Sequence, residues 1–416
     1  MLSHDKTDLI VVGAGAAGLM AALTAADRGR RVLLLEKMDQ PGRKLRITGK
    51  GRCNLTNTAS LRDTLPHIGS DCRFLRNAYG VFFNRELMDF FERRGVALTV
   101  ERGGRVFPAS GKALDIFLAL INPIERHRNI TIRKGCRVER LDVADGVVQG
   151  VVLPDGTRLA APHVVLATGG LSYPLTGSTG DGYRMAAAVG HDVVPCVPSL
   201  VALCCREPMP REMVGFTLRN VALRVTDEQG RKLCEQFGEL TFASDGLTGP
   251  IVLSASRQVS RRLHEGETLL AHIDLKPAVD ADTLDRRLRA DMDANGSRLW
   301  GDAMRMWLPA ELVPSVLRRM KAEKFKRLNQ VTAAERRKLL ALLKDFDFHL
   351  TGTHGFEEAI VTQGGVALKE VNPKTMESRR VAGLYLVGEL LDLDADTGGY
   401  NLQMAFSTGF AAGSYA

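Results

Sequence analysis

Metal-binding and dithiol spacings are missing from this 416-residue chain. Its seven cysteines (Cys53, Cys72, Cys136, Cys196, Cys204, Cys205 and Cys234) form no Cys-x-x-Cys pair and its nine histidines are scattered, so neither a zinc module nor a dithiol redox centre is expected, and no metal ligands are assigned. An odd cysteine count in a long chain also argues against a disulfide framework. Aromatic residues are scarce in the most basic stretch, Arg318–Lys338, where Phe325 stands alone, so no stacking platform for nucleic acid is evident there. Charge of one sign is not dominant: 56 basic against 48 acidic residues leave +8, a mild excess that suits anionic ligands without marking a nucleic-acid binder. Hydrophobic and charged contents of 45% and 25% are ordinary, which excludes wholesale disorder and a multi-span membrane protein. Internal repeats and low-complexity tracts are absent.

One uncharged run, Leu9 to Ala26, has the eighteen residues of a short membrane span. Three glycines interrupt it, and Asp5 and Asp8 stand before it with only His4 and Lys6 as a positive flank. It therefore reads as a buried strand plus helix, without a signal peptide, and the chain as cytoplasmic.

What is there begins with one βαβ unit over Thr7–Lys37: an apolar run, a Gly-rich turn, an Ala-rich helix stopped by Gly29, and a second apolar run ending in Glu36. A long loop, Met38–Asn57, follows with five basic residues. Helices are expected at Arg85–Arg94 and Ala113–Arg128, with a hairpin turning at Gly103-Gly104 between them and a meander over Val138–Ala161. The strand Val164–Ala167 runs into Thr168-Gly169-Gly170, and a second Gly-rich loop, Gly177–Gly182, opens a helix. Prolines then punctuate short strand-like runs to about Asp274, and Ala281 to about Asp345 is helical and charged. Strands return at Ile360, and the final helix runs to Ala416 without a stop signal.

Gly13-Ala14-Gly15-Ala16-Ala17-Gly18 lies between strand and helix, with Glu36 eighteen residues beyond Gly18. This is the context of a dinucleotide fingerprint: Gly13 for the tight turn, Gly15 for backbone approach to a pyrophosphate, Gly18 for helix packing, the helix N-terminus for the phosphate charge and Glu36 for a free ribose. Ala17 and the neighbouring Lys37 join this candidate set. The run Gly383–Glu389 resembles the segment with which FAD proteins of the glutathione-reductase type place an acid on the ribitol, so Gly388 and Glu389 become the second anchor. Thr168 and Gly169 resemble the crossing loop of such domains. At Gly398-Gly399-Tyr400-Asn401 a helix start would direct free N–H groups, those of Asn401 and Leu402, at the flavin's pyrimidine carbonyl.

The segments Gly42–Asn57, Gly388–Asp394, Gly398–Gln403, Val361–Val366 and Thr375–Ser378 are similar to the signature blocks of the YhiN/BaiN-like flavoproteins, also called aminoacetone-oxidase-like FAD-binding proteins. The resemblance runs nearly end to end. It implies FAD, places Arg43, Lys44, Gly49, Gly51, Arg52, Cys53 and Asn54 along flavin and pyrophosphate, and is compatible with enone reduction or amine oxidation of a small organic substrate. Ala243-Ser244 stands where the family pattern has Thr-His, so no role of a histidine there carries over. Cys53 is read as a small buried hydrophobe. Tyr173, His354 and Tyr400 are the candidates with protons to move, each of a type more often structural than catalytic.

The fold expected is α/β: a Rossmann-like FAD-binding domain of glutathione-reductase type, 1–191 and 353–416, interrupted by an inserted β barrel, 192–275, and a small helical subdomain, 276–352. The activity expected is hydride transfer through flavin N5, with NAD(P)H as a transient donor or a protein in its place, since a second nucleotide fingerprint is missing. Arg318–Lys338, with nine basic and two acidic residues, keeps an alternative open, a flavin-dependent RNA-modifying enzyme. A solvated helix face reads that stretch more simply. A non-enzymatic flavin redox sensor is the third reading.

Overall fold

The computed structural model describes residues 7–69 and 71–416; His4, Asp5 and Lys6, which entered the reading of the first apolar run, lie outside them. Two compact units emerge, one of residues up to Ser199 with Phe356–Ala416, the other Leu200–Gly355.

A five-stranded parallel sheet is the frame of the first unit, in the order Leu384–Leu386, His163–Leu166, Leu9–Val12, Val32–Leu35, Ile130–Arg133. The two strands flanking the fingerprint are buried on both faces, which is why they read as unbroken apolar runs. The Ala-rich helix Ala16–Asp27 is buried from Ala17 to Ala26. Small side chains let it sit between the sheet and the final helix, Tyr400–Tyr415, where a Cβ at Gly409 would lie 2.3 Å from Ala17 O. A hairpin at Leu98–Pro108 and a meander at Arg140–Ala160 follow the sequence pattern.

In the second unit a closed six-stranded barrel has the order Leu203–Cys205, Gly246–Thr248, Lys232–Phe242, Thr217–Thr226, Leu269–Asp274, Phe346–Thr353. Phe242, Phe346, Phe348 and Trp300 are fully buried in its core, each contributing roughly 1.5–3 kcal/mol by leaving water.

Four expectations change. The barrel's sixth strand, Phe346–Thr353, lies just past the helical run that ends near Asp345, almost wholly within the 276–352 segment assigned to a helical subdomain, because closing the barrel requires a partner for Leu269–Asp274 that local periodicity does not announce. Barrel and helices share one apolar core, so 192–275 and 276–352 do not separate. The unit boundaries fall at 199/200 and 355/356 because Val193–Ser199 pairs antiparallel with Val361–Val366 inside the first unit. Finally, Pro250–His264 is a fifteen-residue helix within a region read as strands, and the loop Met38–Asn57 contains a short helix, Arg43–Ile47. Among the described residues no helix is long and apolar enough to cross a membrane.

Candidate functional site

The fingerprint turn is built as its glycines require. Gly13 has φ +102°, and a Cβ there would lie 2.5 Å from Ala167 O, while one at Gly18 would lie 1.8 Å from Gly13 O. No side chain fits either contact. At Gly15, by contrast, a Cβ would meet nothing within 4 Å, so the backbone faces open space. The helix has no side-chain cap, and its first bond runs from Leu19 N–H to Gly15 O, leaving the N–H groups of Ala16, Ala17 and Gly18 for an anion. The Glu36 carboxylate accepts from Ala14 N–H at 2.9 Å and Met38 N–H at 2.8 Å, which fixes it beside this turn with lone pairs to spare for ribose hydroxyls. The Lys37 Nζ donates to Thr179 Oγ1 at 2.6 Å and Asp181 Oδ2 at 2.7 Å. Burial works against the Asp181 charge, yet Lys37 and Arg184 hold its carboxyl below the usual range.

The basic loop is tied to the fingerprint by Gly42 N–H donating to Ala14 O at 2.8 Å, and its charges diverge from there. Arg43 lies 3.6 Å from Asp39, one helical turn earlier. Arg52 pairs with Glu101 at 2.5 Å and lies 4.4 Å above the Phe107 ring, both on the hairpin. Gly49 and Gly51 turn the chain with φ +57° and +83°. Cys53 is fully buried, and burial pushes its thiol up to about 12, which removes it from thiolate chemistry. In the orientation that satisfies both ends, the Asn54 carboxamide accepts from Gly399 N–H at 3.1 Å and donates to Thr56 O at 3.3 Å.

Lys44 alone among these basic groups turns to the second anchor. Its Nζ donates to Glu389 Oε2 at 2.6 Å and Ser172 Oγ at 2.5 Å. Glu389 Oε1 accepts from Ser172 Oγ and Thr362 N–H, each at 2.8 Å. Four segments distant in sequence thus meet at one half-buried carboxylate. Gly388 approaches the fingerprint helix, with a Cβ there only 3.0 Å from the Ala17 methyl. In the crossing loop the Thr168 hydroxyl is buried without a hydrogen-bond partner among the described residues, Gly169 has φ +71°, and Leu171 N–H donates to Thr362 Oγ1 at 2.8 Å. Ser172, Thr362 and Asp181 were not among the candidates. Thr362 lies inside a quoted block and Ser172 two residues past the Gly-Gly pair, but only the fold gives them partners.

At the final helix, a Cβ on Gly399 would lie 2.3 Å from Thr56 O. Tyr400, the first helical residue, is buried and stacked on His67 with ring centroids 4.6 Å apart, and burial together with Asp396 and Asp63 raises its phenol above the ordinary range. The Asn401 side chain closes its own loop, exchanging bonds with Ala395 N–H, Ala395 O and Asp396 O. What Asn401 and Leu402 offer a ligand is therefore first-turn N–H. Tyr173 is half-buried, holds a left-handed φ of 53°, and donates its N–H to Phe356 O at 2.9 Å. His354 belongs to the second unit, where Nε2 lies 3.0 Å from Asp245 Oδ2.

Two helix N-termini without a side-chain cap, an acid at the end of the second strand and a second acid aligned by Lys44 suit the phosphates, ribose and ribitol of FAD. These features define the class as an FAD-dependent oxidoreductase. A family model, the HI0933-like protein Rossmann domain, matches residues 7–415, and the chain belongs to that family. It is 34% identical over 410 residues, 98% of each chain, to a 3-dehydro-bile acid delta(4,6)-reductase of Clostridium scindens. It is 32% identical over 407 residues, 98% of this chain and 97% of that one, to a ribosomal RNA dihydrouridine synthase of Escherichia coli. A quinol-fumarate reductase solved with menaquinol aligns with 98% of this chain and 70% of its own, with a TM-score of 0.51 and 18% identity, a likeness of fold.

Proposed function

We propose that this protein reduces a carbon–carbon double bond conjugated to a carbonyl, delivering hydride to the carbon β to that carbonyl. One observation carries this: two relatives similar over nearly their whole lengths have names that describe that bond, the delta(4,6) unsaturation of a 3-oxo bile acid and the C5=C6 bond lost when uridine becomes dihydrouridine. When bound, FAD supplies the hydride from N5. The N–H groups of Ala16–Gly18 hold the diphosphate, Glu36 the ribose and Glu389 the ribitol, while Lys44 offsets negative charge. The N–H groups of Asn401 and Leu402 donate to the pyrimidine carbonyl.

Of the three proton-moving candidates we favour Tyr173, whose hydroxyl would protonate the carbon α to the carbonyl. Tyr400 is stacked and buried, and His354 is engaged with Asp245. Tyr173→Phe should lower kcat about 10²-fold and leave FAD affinity unchanged. We assign NAD(P)H as the transient donor, on the ground that the sequence carries a single dinucleotide fingerprint, and the cytoplasm as the compartment, which suits seven free cysteines.

Anaerobic titration of the yellow protein with NADH and NADPH, followed by mixing with a 4-en-3-one steroid, tests the reading. Bleaching by one nicotinamide and reoxidation faster by the enone than by oxygen are expected. A colourless protein that fails to take up FAD, or a reduced one indifferent to conjugated alkenes, overturns it.

A second reading, uridine in RNA as the substrate, is favoured by the Escherichia coli relative and by Phe325, 75% exposed beside Lys324. The basic stretch is less available than its composition suggests, since Arg318, Arg319, Lys326 and Arg336 are paired with Glu212, Asp347, Glu335 and Asp285. A salt-sensitive RNA gel shift lost on joint neutralisation of Lys321 and Lys324 would favour it.

A further inference from the structure

We propose that Cys204, Asp245 and His354 form a binding site for one divalent transition cation of borderline softness, Zn²⁺ being the fitting ion. A thiol sulfur, a carboxylate oxygen and an imidazole nitrogen from these residues all lie within 4.8 Å of one another. Thiolate, imidazole and carboxylate are the donors such a cation selects, and three protein donors leave a fourth position for water. Spacing in the sequence gives no hint of this, since the residues are separated by 41 and 109 positions.

The barrel assembles them. Cys204 lies on a strand flanked by Gly246 on one side and Gly352 on the other. A Cβ at Gly246 would lie 1.9 Å from Leu203 O, so glycine there lets the strands close and brings Asp245, one residue earlier, beside Cys204. Cys205 N–H donates to Asp245 O at 2.9 Å, and His354 N–H to Ala202 O at 3.0 Å. The backbones carrying all three donors are thereby fixed before any ion arrives. His354 Nε2 already lies 3.2 and 3.0 Å from the two Asp245 oxygens. Its side chain is 19% exposed and that of Asp245 55%, which gives an ion a way in. Cys205, alternating to the opposite face of the strand, packs against the barrel core and is no fourth ligand.

Binding exchanges the Cys204 thiol proton for the cation, the proton leaving to solvent, with no change of oxidation state. It would join the first strand of the second unit to the residues at its end, since Leu200 and Gly355 bound that unit.

The test uses the purified flavoprotein and the metals alone. Co²⁺ should bind one per chain with ligand-field bands in the red, beyond flavin absorption, and Zn²⁺ should displace it. Zn²⁺ should also raise Tm. In Cys204→Ser, Zn²⁺ affinity should fall on the order of a hundredfold and the Tm rise should vanish. Asp245→Asn, at an exposed side chain where folding is not at stake, should lose about tenfold. Absence of the Co²⁺ bands, or Zn²⁺ affinity in either variant equal to that of the native chain, overturns the site.

Discussion

Glu389 is the residue on which the most distant parts of the first unit converge, and its charge is balanced by one partner, Lys44. Removing one member of a partly buried pair leaves the other unsatisfied, at a cost of about 1–3 kcal/mol. Glu389→Gln should therefore weaken FAD retention about tenfold, measured as flavin fluorescence released on dilution, whereas Arg52→Gln, whose group serves the hairpin, should change retention less than twofold. The buried Glu370 behaves differently. Arg380, with help from Asp192 N–H and His191, holds its carboxyl down at about 2 against an ordinary 4.5. A carboxyl depressed in the folded state stabilises above its unfolded pKa and loses that contribution as pH falls toward the folded value. Urea midpoints of the native chain should drop as pH goes from about 4.5 to about 2, and the drop should be smaller in Glu370→Gln. His191 acts in the same direction: burial lowers its pKa from 6.5, so acid favours the unfolded form that takes up the proton.

The two helices whose N-termini are proposed to serve the cofactor are packed on each other through glycine, with Gly409 against Ala17 O and Gly413 against Ala21 O. Gly409→Val adds a branched side chain where a Cβ alone would stand 2.3 Å from that oxygen. The helices must separate, and the expected result is a destabilised, largely flavin-free protein, read by absorbance and Tm together. Overpacking of this kind costs about 1–3 kcal/mol. The fingerprint helix was legible from its Ala-rich pattern, its Gly turn and the acid ending the next strand. The helix Pro250–His264 was not, because Gly249-Pro250 continues the Gly and Pro punctuation of the strand-like runs before it.

Two cores in one chain give two stability reporters. Trp300 and Trp307 both belong to the second unit, whereas every residue assigned to FAD lies in the first. A ligand stabilises the state that binds it by RT ln(1 + [L]/Kd). Excess FAD should thus move the urea transition seen by flavin fluorescence to higher concentration, and the transition seen by tryptophan emission by less. Coincident shifts would mean the units unfold as one.

The linear order of residues by itself determined the strand–turn–helix of the fingerprint and its acid partner, because these rest on turn geometry, helix packing and unbroken apolar runs within some thirty residues, whereas the return of the C-terminal strand to the sheet was legible only through its resemblance to known FAD domains. Tertiary structure alone decided that Lys44, Ser172 and Thr362 would meet Glu389, that Arg52 and Lys37 would be drawn off to other carboxylates, and that Phe346–Thr353 would close a barrel. Pairings across more than a hundred residues depend on which surfaces the fold presses together, and charge on a flexible side chain goes to whichever opposite charge the backbone brings within reach.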